Sequence, residues 1–98
     1  MTISTLIPRV VELAEVDDTA IIPLTYADQK ITIQIPTGST VLVEHTLFPA
    51  AAIDDDSAEW VAWTEGEQEG PFIKTLATPC TAIRFTAKTA DAKFYLVS

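Results

Sequence analysis

The stretch Lys30-Ile31-Thr32-Ile33-Gln34-Ile35, followed by Pro36-Thr37-Gly38, decides the fold. Its three isoleucines alternate with Thr32 and Gln34, and successive side chains of a strand point to opposite faces. One face is therefore dry and the other wet. Pro36, Thr37 and Gly38 are turn residues that stop the run. Working outward, the same rhythm of short Thr-, Ile- and Val-rich runs broken by Pro and Asp recurs along the chain, with few of the residues that fill helices. Eight strands are expected, over Arg9 to Val16, Thr19 to Leu24, Lys30 to Ile35, Ser39 to Thr46, Ala58 to Glu65, Phe72 to Leu76, Thr81 to Lys88 and Ala92 to Val97.

Two of these strands carry further information. In Thr40 to Thr46 Val41 and Val43 lie on one face and Leu42 on the other, which predicts a strand that is central or covered on both sides. In Thr81 to Lys88 the side chains of Ile83, Phe85 and Ala87 share a face, and the short Thr89 to Asp91 link leads to Phe94 and Leu96. That spacing predicts a C-terminal hairpin. The segment Phe48 to Ser57, with three alanines and the Asp54, Asp55, Asp56 run, reads as a crossover loop or a short helix. Eight strands at this spacing predict an all-β fold, a two-sheet antiparallel β-sandwich of the jelly-roll type, with other Greek-key sandwiches as the alternative. Residues 1–8 read as an extended N-terminal arm and residues 9–98 as a single domain, because Pro8 lacks the donor that a central strand position needs.

Charge and composition narrow the functions. Fourteen acids against six bases give a formal charge of −8 over 98 residues. Nucleic-acid affinity rests on Lys and Arg neutralising phosphates, so neither nucleic acid nor an anionic membrane is an expected partner. No run approaches the ~20 apolar residues of a membrane span, and the start lacks the basic and apolar regions of a secretion signal. A cytoplasm, or a particle assembled in one, is the expected setting. Cys80 is the only cysteine, which excludes an internal disulfide, and its place between Pro79 and an apolar strand reads as a packed thiol. A core this small gains from assembly into oligomers.

No residue set reads as catalytic, cofactor-binding or metal-binding. Asp54, Asp55, Asp56, Glu59, Glu65, Glu67 and Glu69 put half of the carboxylates into sixteen residues. They lack the alternating Asp spacing, mid-loop Gly and final Glu of an EF-hand, and runs of like charge are usually solvated. A glycoside-cleaving pair would need a desolvated acid, whereas these acids are flanked by other acids and by glycine. His45 is the only histidine, no Gly-x-Ser-x-Gly elbow is present, and one His with one Cys cannot complete a structural zinc site. Gly38, Gly66 and Gly70 are the only glycines and none precedes a helix, so no phosphate loop exists. Trp60 and Trp63 suggest a sugar-stacking platform, but residues three apart on a strand face opposite ways. One is expected in the core and the other at the surface.

The order Ala58-Glu-Trp-Val-Ala-Trp-Thr-Glu-Gly, then Pro79-Cys-Thr-Ala-Ile-Arg-Phe-Thr-Ala and the closing Phe94-Tyr-Leu-Val, resembles the small β-sandwich capsid decoration, or cement, proteins of tailed bacteriophages. The resemblance covers the last 40 or so residues. It implies a non-enzymatic protein without cofactors on the outer surface of a virion capsid. Such a protein binds the major capsid protein, forms a dimer or trimer, and stabilises the shell by bridging subunits. A tail, baseplate or head-completion component and a carbohydrate-binding or adhesion module are the alternatives.

Overall fold

A computed structural model describes residues 9–24, 30–76 and 80–97. The expected arm, residues 1–8, lies outside the described residues, as does Pro79. The strands are β1 (Arg9–Leu13), β2 (Thr19–Pro23), β3 (Ile31–Ile35), β4 (Thr40–Thr46), β5 (Val61–Glu69), β6 (Phe72–Leu76), β7 (Ala82–Ala87) and β8 (Ala92–Val97), with one short helix α1 (Ala50–Asp54) between β4 and β5. They form two four-stranded sheets, a first of order β1-β8-β3-β6 and a second of order β2-β7-β4-β5. Every pairing between these strands is antiparallel, and the isolated Thr37 to Gly70 bridge is parallel. The first half of the chain thus pairs with the second in reverse, β1 with β8, β2 with β7, β3 with β6 and β4 with β5, and the ribbon is wrapped into two sheets. That wrapping is a jelly roll.

The alternation in Ile31, Ile33 and Ile35 builds the core as expected, since all three are fully buried while Thr32 and Gln34 point outward. Leu13, Leu76, Ala92, Phe94 and Leu96 complete the inner face of the first sheet. Val41, Val43, Trp63, Ile83, Phe85 and Ala87 supply that of the second. The two faces meet at Phe85 and Phe94, whose ring centroids stand 4.3 Å apart. Strand β4 is central, between β7 and β5, as its two-sided apolar pattern predicts.

The expected C-terminal hairpin does not form. β7 pairs with β2 and β4 in one sheet, and β8 pairs with β1 and β3 in the other. Alternation marks the dry face of each strand but does not say whether two dry faces lie side by side or face to face. Here they face each other across the core, and the link from Lys88 to Asp91 arches between sheets, with Asp91 at φ 54°. The Phe48 to Ser57 connection is the converse case: it holds α1 and does not cross the sandwich, because β4 and β5 are neighbours in one sheet.

Strand β5 begins at Val61, later than the expected Ala58, because the residues before it are tied elsewhere. Ser57 and Ala58 both donate their backbone N–H to the Ala52 carbonyl of α1, at 2.9 and 3.0 Å. Thr46 Oγ1 donates to the Glu59 carbonyl at 2.9 Å. Thr81 Oγ1 lies 3.0 Å from the Thr46 carbonyl and 2.6 Å from that of Phe48, which fixes the root of the same connection. The β4–β5 register then shifts between Leu42 and Glu44, and this irregularity carries β5 on to Glu69.

A second clip lies at the opposite end. Ser39 is buried; its N–H donates to the Pro36 carbonyl, its carbonyl accepts from Gly70 and its Oγ accepts from the Lys93 N–H at 3.1 Å. Gly70 sits so close to the chain at Pro36 that a Cβ there would overlap the Pro36 carbonyl group. Gly38, at φ 93°, closes the same turn.

Candidate functional site

The acidic residues are spread along a solvated flank and are not gathered into a centre. Asp54, Asp55 and Asp56 end α1 and are exposed; Asp55 Oδ1 accepts from the Ser57 N–H at 2.9 Å. Glu59, Glu67 and Glu69 are also exposed. Glu65 lies in β5, with its side chain outside the described part. Among the described residues no three His, Cys, Asp or Glu side chains come together as metal ligands would.

Both tryptophans fall as the spacing predicts. Trp63 is buried in the core with the Lys74 ammonium 5.2 Å from its ring centre. Lys74 stands opposite Ile33 on the edge strand β6, so a charge faces inward at the open side of the first sheet. Inward charges of this kind discourage edge-to-edge pairing. Trp60 is half-buried on the outside of the second sheet, with the Arg84 guanidinium 4.6 Å from its ring centre. Arg84 Nε and Nη2 both donate to Glu44 Oε1, at 3.1 and 2.9 Å. This stack ties the residue that precedes β5 to β7 and β4 and was not legible as a unit, since its members are far apart in sequence.

His45 is a half-buried strand residue between Val61 and Ile83, and its Nδ1 is buried without a hydrogen-bond partner among the described residues. Cys80 packs against the core, and burial pushes its thiol pKa up, partly offset by a hydrogen bond with the backbone of Ala82. A thiol held protonated is a poor nucleophile.

The most distinctive surface is the outside of the first sheet. Cross-strand register lines Val10, Tyr95, Gln34 and Ile73 into one row spanning all four strands. Val10 is 49% exposed and Ile73 64%, while Tyr95 is half-buried between them. Alongside lies a second row of Val97, Thr32 and Thr75, whose two threonine hydroxyls are hydrogen-bonded at 2.8 Å. Tyr95, Gln34 and Ile73 of the first row and Val97 and Thr32 of the second line a shallow depression of about 370 Å³. The period of two marks Thr32 and Gln34 as outward-facing, but only the register places these residues side by side.

The second sheet offers a different exterior. Its outer face carries Glu44, Glu67 and Glu69, and α1 with β2 encloses a groove of about 460 Å³ lined by Ile21, Pro23, Ala50, Ile53, Asp54 and Ala82. No helix among the described residues is long and apolar enough to cross a membrane.

Compared with known proteins, the chain matches no family model, no curated protein and no solved structure.

Proposed function

We propose that this chain is a non-enzymatic structural protein of a tailed-phage virion that binds the outer surface of the capsid and stabilises it by bridging neighbouring copies of the major capsid protein. The observation that carries the reading is the row Val10, Tyr95, Gln34 and Ile73, an uncharged strip across the full width of a sheet on a chain of net charge −8. Grouped apolar side chains on an exposed sheet favour a protein surface as partner, since their removal from water is what such contacts gain most from. The jelly-roll wrapping and the resemblance of Ala58 to Val97 to decoration proteins support the same reading.

The test is to add purified protein to heads that lack it and to follow co-sedimentation together with resistance to heat or chelator. Saturating binding with raised resistance is expected, because a ligand that binds only the assembled lattice stabilises it by mass action. Heads that neither bind the protein nor change in stability refute the proposal. A tail, baseplate or head-completion component would instead show a stable ring of high order by mass measurement. A carbohydrate-binding module needs a free aromatic face, whereas Trp63 is buried and Trp60 already carries Arg84 over its ring.

A further inference from the structure

Each sheet ends in two edge strands, β1 and β6 in the first and β2 and β5 in the second. An edge strand presents unpaired N–H and C=O groups to any chain that can pair with them, and proteins guard such edges with charges or bulges. Three of the four are guarded in this way. β1 carries exposed Arg9 and Glu12. β6 carries Lys74, and β5 has the register shift with exposed Glu67 and Glu69. β2, made of Thr19, Ala20, Ile21, Ile22 and Pro23, has no charged residue.

The register shows which groups β2 leaves open. Leu24 donates its N–H to the Thr81 carbonyl, and the Asp18 carbonyl accepts from the Ala87 N–H, so the even-numbered residues face β7. In an antiparallel ladder the residues between them turn their backbone groups the other way. Thr19 and Ile21 thus offer both N–H and C=O to the free edge. Pro23 offers a carbonyl alone, and its missing N–H falls where the β7 ladder needs none. The side chains of Thr19, Ile21 and Pro23 are exposed on the outer face, where Ile21 and Pro23 border the groove beside α1.

We infer that β2 pairs antiparallel with β2 of a second copy about a two-fold axis at Ile21, which joins two second sheets into one of eight strands. Ile21 of each copy exchanges both backbone hydrogen bonds with its counterpart. The Thr19 N–H of each copy meets the Pro23 carbonyl of the other, so the pairing overlaps the whole strand. Charge selects this edge. Each copy has a net charge of −8, and like charges directly opposite destabilise a strand pair. A β6–β6 contact sets Lys74 against Lys74, a β5–β5 contact brings two glutamate-bearing strands together, and a β1–β1 contact desolvates Arg9 and Glu12. The β2–β2 contact places no charged side chain in register. It is isologous and closes at two copies. None of its residues belongs to the Val10 to Ile73 strip, so it does not rest on capsid binding.

Area keeps the dimer weak. Five residues at about 3.4 Å, on a sandwich whose sheets lie about 10 Å apart, give an edge of roughly 170 Å². That is far below the ~800 Å² per partner of a standard stable interface. A Kd on the order of 0.1 to 1 mM is therefore expected, tightening as salt screens the repulsion between two acidic copies.

The experiment is sedimentation equilibrium on the full chain up to ~2 mM, at ~50 and ~500 mM NaCl. Ile21→Lys, Thr19→Pro and Val61→Lys are compared with the wild type, and circular dichroism checks that each is folded. Ile21→Lys sets two cations face to face, and Thr19→Pro removes an outward donor that the β7 ladder does not use. Val61, exposed on the opposite edge strand, is the control. Wild type and Val61→Lys should show the same monomer–dimer equilibrium, tighter at high salt, and the two β2 variants should associate at least ~10-fold more weakly. Ile21→Lys decides alone if Thr19→Pro does not fold. A wild type that stays monomeric at ~2 mM in high salt leaves the edge to a strand of another protein and overturns the inference. So do trimers or larger species, association that loosens with salt, Ile21→Lys associating like the wild type, or an equal loss in Val61→Lys. Heads are absent from this assay, so its failure leaves the capsid proposal standing.

Discussion

Replacing Gly70 by alanine tests the packing of the turn end of the sandwich. A Cβ at this position would overlap the carbonyl group of Pro36 and stand 2.6 Å from the Ile35 carbonyl oxygen. These are backbone atoms, which cannot swing aside as a long side chain can. Relief requires the β5 end to move away from the β3–β4 turn. The Gly70 N–H to Ser39 carbonyl bond of 3.0 Å then lengthens, and the Thr37 to Gly70 bridge opens. Overpacking costs about 1–3 kcal/mol and a lost hydrogen bond about 0.5–1.5 kcal/mol, so a loss of about 3 kcal/mol is expected. With a urea slope of about 1.5 kcal/mol/M for a chain of this size, the midpoint should fall by about 2 M. The matched control is Gly38→Ala. Gly38 has φ 93° but no atom within 4 Å of an added Cβ, so only backbone strain of about 1–2 kcal/mol applies. Equal losses for the two variants, or a smaller one at Gly70, would refute the claim that space and not dihedral preference fixes glycine there.

Ser39→Ala removes the acceptor of the Lys93 N–H in a part-buried site and should cost about 1–3 kcal/mol by urea unfolding, with Ser39→Thr retaining the acceptor as comparison. A double-mutant cycle on Phe85→Leu and Phe94→Leu should return a coupling of about 0.5–1.5 kcal/mol, since the rings meet across the core; zero coupling would contradict the face-to-face arrangement of β7 and β8. Glu44→Gln weakens the bond that holds Arg84 against Trp60, so the emission of Trp60 in a Trp63→Phe background should shift while stability changes by only about 1 kcal/mol, the pair being partly solvated. Cys80 should react slowly with a disulfide reagent at pH 8 and at the ordinary rate in urea. Its folded thiol pKa is raised by burial, so the stabilisation is present below the unfolded pKa and declines as pH rises above it.

The strands were legible because their information is local. Ile31, Ile33 and Ile35 carry a period of two that nothing in the rest of the chain overrides, and β6 and β8 match the expected boundaries at both ends. Pairing is not local. The Ile83, Phe85, Ala87 and Phe94, Leu96 patterns are the same for a hairpin and for an arch. What decides between them is that β2 and β4 flank β7 while β1 and β3 flank β8. The late start of β5 is hidden for a related reason. Ala58, Glu59 and Trp60 have the composition of a strand, but Ala52 and Thr46 claim the backbone groups that a ladder would use.

The surface shows the same division between what a residue's own position fixes and what the fold assembles. That Gln34 points away from the core follows from the parity of Ile31, Ile33 and Ile35, and Tyr95 from its place between Phe94 and Leu96, whereas Val10 beside Val11 and Ile73 beside Phe72 take their outward face from the fold. That they form one uncharged row follows only from the order β1-β8-β3-β6, which brings residues up to 85 positions apart into line. The acidic side needs no such assembly, since β4, α1 and β5 are consecutive, and so the carboxylate run stands out in the sequence while its counterpart does not. A cluster visible in sequence invites a local explanation such as a bound ion. Once the sheets are formed, Glu67 and Glu69 stand on the outer face of the second sheet near Leu42 and Thr40, while Asp54, Asp55 and Asp56 end α1 beyond the other end of β4, so no three of these carboxylates among the described residues share one centre. Reversing the sign of Glu67 and Glu69 together should therefore leave the unfolding free energy within about 0.5 kcal/mol of the wild type, as expected for exposed side chains that hold no common ion. A loss well beyond that on urea unfolding would show that the two carboxylates take part in the fold.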